Sequence, residues 1–403
     1  MHVGKTASSR GAQGEESSAF EPALVRRPIP PPSPLDQPFT KERLPGMPPG
    51  LVLTAALKLR RWVLELTDAI VPIEVALIER MMGMMSTVTL AAMARYGVAD
   101  MLKSGPLTAE EIAARAGTDP DATHRALRWL ASRGVFELKP DGRFENNRLS
   151  KGLMSGRRMR GREAAQYFGS LSNIAAWCDL ERTLETGKNA FERVLGTSVW
   201  AWFDRHPDER ENFAHAMMGI TVATAPLVAE LFPFAEAKVV CDIGGGMGTL
   251  LSELLVRHPH LRGILADNAE VCAKARELLA ARGVADRVEI APASFFESVP
   301  LGADTYILKN VLHDWDDEHS RAILRNVRRA VPEGGRVLIV EMLVERNETA
   351  GVGPMIDLQM MMVCSDGRER GRSDFQRLLR DAGFAPGRVL AHPAIAVIEG
   401  LPA

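Results

Sequence analysis

Val240-Cys241-Asp242-Ile243-Gly244-Gly245-Gly246-Met247-Gly248 decides the fold of this chain. The apolar run Lys238-Val239-Val240-Cys241 leads into an acid, Asp242, and then into a glycine cluster. Leu250, Leu251, Leu254 and Leu255 follow at helical spacing. Strand, glycine turn and helix in that order form the entry to a nucleotide-type cofactor site at the carboxyl end of a parallel strand. The glycines stand at 244, 246 and 248, a GxGxG spacing. The dinucleotide fingerprint needs a glycine at 249, where this chain has Thr249. A tight turn behind an acid suits a ligand carrying an amino group and a ribose better than a pyrophosphate. The reading therefore favours S-adenosylmethionine (SAM) over NAD, with another ligand or a purely structural turn as alternatives.

Outward from this motif, toward the C-terminus, apolar strands alternate with helical stretches. Strands are predicted at 238–242, 262–266, 287–291, 304–309 and 336–342, and a closing pair near 387–391 and 394–400. Strands separated by helices indicate an α/β fold with a doubly wound parallel sheet. The closing pair reads as a hairpin, which must bring an antiparallel strand into that sheet. SAM-dependent methyltransferases of the Rossmann-like class I kind typically end this way, and NAD-binding sheets usually do not.

Toward the N-terminus, residues 166–236 read as a helical linker with aromatic residues spread through it, ahead of the sheet at 237–403. Residues 51–165 read as a helical and winged-helix unit. Within it, Thr108 and Glu111 form a capping box, Asp119-Pro120 opens a second helix, and 135–145 reads as a two-stranded wing. A winged helix invites a DNA-binding reading, supported by Arg125, Arg128 and the basic residues after the wing. Glu110, Glu111, Asp119 and Asp121 dilute that footprint, so packing or dimerisation is the preferred role. Met81, Met82, Met84 and Met85 lie in a helical stretch and suit a packing surface, with a flexible substrate wall as the other reading. Apolar N-terminal helices of this length also point to a subunit interface. Residues 1–50 are rich in proline, serine and glycine and are read as a disordered tail.

Bulk properties narrow the function. The chain has 403 residues, 46% hydrophobic and 25% charged, with a formal net charge of −2. That balance gives no drive toward nucleic acid or anionic membrane. Four scattered cysteines without a CxxC exclude a disulfide framework or thiolate zinc cluster and suit a reducing cytoplasm. No apolar run approaches the roughly 18 residues of a membrane span.

In an open parallel sheet, ligands bind beyond the carboxyl ends of the strands. Asp267 ends the second strand and can accept ribose hydroxyls, or else cap the next helix. Ser294 and Phe295 end the third strand, where an adenine would lie. Lys309 ends the fourth, facing a cofactor or solvent. The stretch Leu308-Lys309-Asn310-Val311-Leu312-His313-Asp314-Trp315-Asp316-Asp317-Glu318-His319 follows. With the glycine motif, Phe296-Glu297-Ser298-Val299-Pro300 and Gly335-Arg336-Val337-Leu338-Ile339-Val340-Glu341, it resembles the small-molecule O-methyltransferases of the plant caffeate and acetylserotonin type, many of them bacterial. The resemblance runs from about Thr87 to the C-terminus. It implies a homodimer joined through the N-terminal domain, SAM held by Asp242, Gly244, Gly246, Gly248, Asp267, Ser294, Phe295 and Lys309, and a small hydroxylated aromatic or polyketide-like acceptor. It further implies His313 as general base, oriented by Glu341 and Glu369, and Phe213, Met217 and Asp314 against the acceptor. A phenol with a pKa near ~10 needs such a base at neutral pH, and an imidazole near ~6.5 can serve. No metal is called for; Asp314, Asp316 and Asp317 sit in one short turn where capping explains acids. The competing reading is a winged-helix transcriptional regulator, or a non-methylating relative that binds SAM or a metabolite without transfer.

One position departs from the family pattern. Relatives carry an aspartate where this chain has Ser294, and there it binds the adenine amino group. Serine still accepts that hydrogen bond but brings no charge, so SAM binding is expected to be weakened or compensated by a neighbour, with the site kept. Ser294→Asp is therefore expected to tighten SAM binding about tenfold in a calorimetric titration, the difference between a neutral and a charge-assisted hydrogen bond. An unchanged affinity removes Ser294 from the adenine site.

Overall fold

The computed structural model describes residues 42–403. Its N-terminal helices run Gly50–Ala69, Ile73–Met81, Gly83–Arg95 and Val98–Met101. The winged-helix pattern follows as read: helices Ala109–Ala116 and Pro120–Ser132, then short antiparallel strands β1 (Glu137–Leu138) and β2 (Phe144–Glu145). Thr108 and Glu111 cap each other's backbone N–H groups at 3.2 and 2.8 Å, and Asp119 accepts from the Ala122 N–H at 2.8 Å. Ile112, Leu127, Leu130, Phe136 and Phe144 close its core.

The C-terminal half is a seven-stranded sheet in the order β5-β4-β3-β6-β7-β9-β8. Its strands are β3 (Val239–Ile243), β4 (Arg262–Ala266), β5 (Val288–Ile290), β6 (Thr305–Lys309), β7 (Arg336–Glu341), β8 (Phe384–His392) and β9 (Ile395–Pro402). The five strands β3 to β7 pair in parallel. The final hairpin enters as predicted, β9 antiparallel to β7 and β8 antiparallel to β9. The chain lays down β3, β4 and β5 in one direction, then returns past β3 to place β6. This reversal opens a crevice between the ends of β3 and β6, where such sheets bind ligands. Two buried layers of Leu, Ile, Val and Phe cover the sheet's faces.

Two expectations need correction. β5 stops at Ile290, so Ser294 and Phe295 lie beyond the strand in a following turn. The Ala291 and Ala293 N–H groups still donate to the Leu265 and Asp267 carbonyls, but β4 itself ends at Ala266 and regular pairing stops at Ile290. The disordered-tail reading for 1–41 lies outside the described residues, but residues 42–49 do not behave as a tail. Leu44 is 3% exposed and its N–H donates to both carboxylate oxygens of Glu253, at 3.1 and 3.2 Å. Arg257 donates to the Leu44 carbonyl and Arg282 to that of Glu42, at 3.2 and 2.7 Å. Composition describes what a segment can bury by itself; it does not reveal a buried Glu253–Arg282 pair some 200 residues away.

The helix Pro207–Leu231 is long and apolar enough to cross a membrane by composition alone. It packs instead on helices Gly161–Phe168 and Thr249–Arg257 and on β9, as a core helix.

The Glu253–Arg282 pair is buried at both ends, and without Arg282 the Glu253 carboxylate keeps only Arg257 and the Leu44 N–H, one cation short in a buried site. Arg282→Met is expected to destabilise the protein by about 2–3 kcal/mol in urea unfolding. Arg125→Met, at the exposed Arg125–Asp121 pair, should stay within about 0.5 kcal/mol. Equal losses at both sites would contradict the buried-pair account.

Candidate active site

β3 ends in the glycine turn, where Gly244, Gly246 and Gly248 adopt φ of +65°, +57° and +76°. These are left-handed conformations that side chains disfavour. At Gly244 a Cβ would also lie 2.9 Å from Val311 Cγ2, so the turn and the loop after β6 approach at a glycine. The Gly246 N–H donates to Asp267 Oδ2 at 2.9 Å, which ties the turn to the end of β4. Asp267 does not cap the next helix; Asn268 does, accepting from the Val271 N–H at 2.9 Å. Burial raises the Asp267 carboxyl.

Asp242 is 1% exposed, and among the described residues its Oδ2 has no hydrogen-bond partner. Burial pushes its pKa up to about 7; Asp267 adds to the rise and Lys309 opposes it. A buried, partly unsatisfied carboxylate beside an open glycine turn fits a ligand that brings its own donors. Lys309 ends β6 and donates to Thr221 Oγ1 at 3.2 Å and Asn310 Oδ1 at 3.3 Å. Burial drives its ammonium down to about 8, while Glu341 and Asp242 pull it back up. It therefore leans on the helix Pro207–Leu231 and does not stand in solvent.

His313 sits in the short turn after β6, 8% exposed. Its Nδ1 is 2.7 Å from Glu369 Oε1 and 3.7 Å from Glu341 Oε2, and its Nε2 is 3.7 Å from Asp314 Oδ1. Donation from Nδ1 to Glu369 leaves the Nε2 lone pair available. Burial lowers the pKa of the imidazole, but Glu341, Asp314 and Glu369 together raise it further, so the net shift is upward. Burial likewise raises Glu341, against the pull of His313. Ligand atoms of His313, Glu341 and Glu369 all lie within 4.8 Å of one another, a distance at which three such groups could hold a cation. Here Nδ1 bonds directly to Glu369, and Glu341 Oε1 already accepts the Val311 and Leu312 N–H groups at 3.0 and 2.9 Å.

The acids of this turn separate by role. Asp316 caps the helix Asp317–Ala330, accepting from the His319 N–H at 2.8 Å. Asp317 pairs with Arg370 and Arg377 at 2.9 and 3.3 Å. Asp314 turns instead toward His313 and accepts from Cys364 Sγ at 3.4 Å.

Phe213 and Met217 lie on the helix Pro207–Leu231. Phe213 stacks on Phe203 at 5.0 Å and meets Tyr167 and Trp200 edge-on at 5.2 and 5.9 Å. Trp200 in turn stacks on Trp315 at 6.2 Å, and Phe295 meets Trp315 edge-on at 6.3 Å. An aromatic wall thus runs from the helical region to the turn that carries His313. Ser294 is exposed beside it.

The sequence reading missed three of the residues that hold this site. Arg370, 1% exposed, donates to the Leu312 and Trp315 carbonyls, both at 2.7 Å, and clamps the His313 turn. Asn326 donates to the Phe295 and Phe296 carbonyls, both at 2.9 Å. Gly367 lets its segment pass under the turn: a Cβ there would lie 2.7 Å from the His313 carbonyl, to which the Arg368 N–H donates at 2.8 Å. The only sequence signal was adjacency, since Gly367 and Arg370 flank Glu369 in Gly367-Arg368-Glu369-Arg370.

The chain is similar to known O-methyltransferases. An O-methyltransferase domain model matches residues 177–385, and an O-methyltransferase dimerisation domain model matches 78–156. The winged-helix unit is thereby a dimerisation unit. A phenazine O-methyltransferase from Lysobacter antibioticus is 37% identical over 333 residues, covering 82% of this chain and 97% of its own. The solved structure of LaPhzM aligns with a TM-score of 0.79 at 37% identity, over 83% of this chain and 100% of that one. The structure of NcsB1, an O-methyltransferase from neocarzinostatin biosynthesis, was solved with SAM and 2-hydroxy-5-methyl naphthoic acid. It aligns with a TM-score of 0.69 at 28% identity, over 79% of this chain and 96% of that one.

Proposed function

The chain belongs to the O-methyltransferase family, and we propose that this SAM-dependent enzyme methylates a hydroxyl of a small aromatic or polyketide-like metabolite, using His313 as general base and no metal ion. The observation that carries the reading is the 2.7 Å contact between His313 Nδ1 and Glu369, which fixes the ring with Nε2 free at the switch-point crevice. Bound SAM supplies a methyl group already activated on a sulfonium sulfur. Asp242 and the glycine turn hold the amino end of the cofactor, Asp267 the ribose, and Ser294 and Phe295 the adenine. Lys309 braces Asp242 from the other side of the crevice.

For the acceptor, His313 takes the hydroxyl proton at Nε2 as the oxygen becomes nucleophilic. Glu369, Glu341 and Asp314 stabilise the imidazolium that results, and Glu341 and Glu369 keep the ring aimed. Phe213, Met217 and the aromatic wall position a flat acceptor and exclude water. The relatives' phenazine and naphthoate acceptors are flat aromatics of the kind such a wall suits. A homodimer formed through the N-terminal unit is part of the same reading. The unpaired Cys178, Cys241, Cys272 and Cys364 suit a cytoplasmic setting.

His313 accepts a proton only when neutral, and its carboxylate neighbours hold its pKa above the usual ~6.5. The value of kcat/KM should therefore climb with pH through a point above ~6.5 and be lost as pH falls below it. Glu369→Gln removes one stabilising charge, so the climb should move about one unit toward lower pH while the plateau drops. His313→Ala should cost at least about a hundredfold in kcat. A loss of tenfold or less, or a profile that Glu369→Gln leaves in place, would dismiss the base assignment.

Incubation of a hydroxylated aromatic panel with SAM, read as a one-methyl mass gain, should identify acceptors, with turnover undiminished in EDTA. Inhibition by EDTA that added Mg²⁺ reverses would refute metal independence.

A further inference from the structure

The helix Gly50–Ala69 has 20 residues and not one of them is buried. One face carries a row of apolar side chains, with Leu53, Leu57 and Leu64 lying off it. Val52, Leu59, Trp62 and Leu66 recur at the spacing of a coiled-coil seam, with Ala55 and Ala69 at the intervening positions. All four large residues are exposed, Trp62 by 58%. A lone helix of this length is marginal in water, and an apolar stripe on it calls for a partner.

The stripe continues. Ile73, Leu77, Met81, Met84 and Val88 follow at steps of three or four residues on the next two helices, and all are exposed. This second stretch runs into the family's dimerisation unit at 78–156; the helix Gly50–Ala69 precedes it. The solved LaPhzM chain is matched over 100% of its length by 83% of this one, so this chain has material to spare.

The base of the helix is held. Residues 42–49 are pinned to the sheet domain through Leu44 and Glu42, as described above. His392 Nε2 donates to the Pro48 carbonyl at 3.1 Å, and Arg61 donates to Thr349 Oγ1 at 2.9 Å. The helix is thus fixed in place with its stripe uncovered.

We infer that Gly50–Ala69 is a dimer arm: its stripe packs against a second copy of this chain and extends the interface of the dimerisation unit beyond what the family model covers. The inference rests on the homodimer reading above. A two-fold pair buries the same stripe on both copies, so a continuous self-complementary seam is what a closed dimer uses. Charge favours a protein partner over a lipid surface. The helix carries Lys58, Arg60 and Arg61 but also Glu65 and Asp68, and Arg61 is paired with Glu65 at 2.8 Å. A membrane-surface helix relies on an unneutralised basic face.

The test uses the full chain in sedimentation equilibrium with two variants, Trp62→Glu/Leu66→Glu on the arm and Met84→Glu on the dimerisation unit. The wild type should be dimeric and the arm variant should weaken the dimer at least tenfold. Hydrogen exchange on the unmutated chain gives a second readout: amides of 50–69 should be protected at concentrations where the dimer persists and lose protection on dilution. An arm variant that dimerises like the wild type, with 50–69 unprotected, overturns the arm while the homodimer stands, provided Met84→Glu dissociates it. A wild type monomeric at every concentration overturns both readings. Trp62-dependent sedimentation with vesicles of equal phosphatidylglycerol and phosphatidylcholine, with dimerisation unchanged by the arm variant, would make the stripe a lipid contact and also overturn the arm.

Discussion

One carboxylate cut off from water organises the crevice. Glu341, at the end of β7, is fully buried, and its Oε1 accepts the N–H groups of Val311 and Leu312. β7 lies beside β6 in the sheet, so its last residue reaches under the loop that β6 leads into. Burying a carboxylate costs several kcal/mol unless donors and cations surround it. Here two backbone N–H groups, His313 and Lys309 supply them. Asn310, at φ +52°, makes the left-handed step that swings both N–H groups inward, a conformation asparagine tolerates better than most residues. Loop path, imidazole position and lysine ammonium are therefore not independent. Displacing any one leaves the charge of Glu341 poorly solvated.

The same logic extends along the crevice. Asp242, Asp267, Asp314, Glu341 and Glu369 gather around its walls, and burial raises the first four of these carboxyls. Lys309 answers them at the centre, and Arg370 holds the far side of the His313 turn through carbonyls and Asp317. The lining is acidic on balance, which suits a cationic ligand.

Much of this was legible in the sequence, and the reason is local. The glycine turn, the capping box, the alternation of strands and helices and the closing hairpin are encoded by residues within a few positions of one another. Asp267 and Lys309 stand at the ends of β4 and β6 as expected, because strand ends can be counted. What escaped were contacts between distant segments. Arg370 serves carbonyls at 312 and 315, which have no side-chain signature. Leu44 looked like part of a proline-rich tail because its partner, Glu253, lies on a helix in the other half of the chain. β5 was drawn too long because its apolar pattern runs past Ile290 to Ala291, while regular pairing with β4 ends at Ile290 and β4 itself at Ala266. Apolar pattern reports burial; the length of the neighbouring strand decides where pairing stops.

The helix Pro207–Leu231 carries Phe213, Met217 and Thr221, each four residues apart and so about 6 Å apart along one face. Phe213 belongs to the aromatic wall, and Thr221 receives the Lys309 ammonium at the other end. The row works as a ruler laid between the two ends of the crevice. Its last mark receives Lys309 and donates to the Met217 carbonyl, while Phe213 packs among aromatic side chains. Side-chain exchange at the first two marks can therefore reshape the aromatic wall, one turn at a time, without replacing the partner of the lysine at the third.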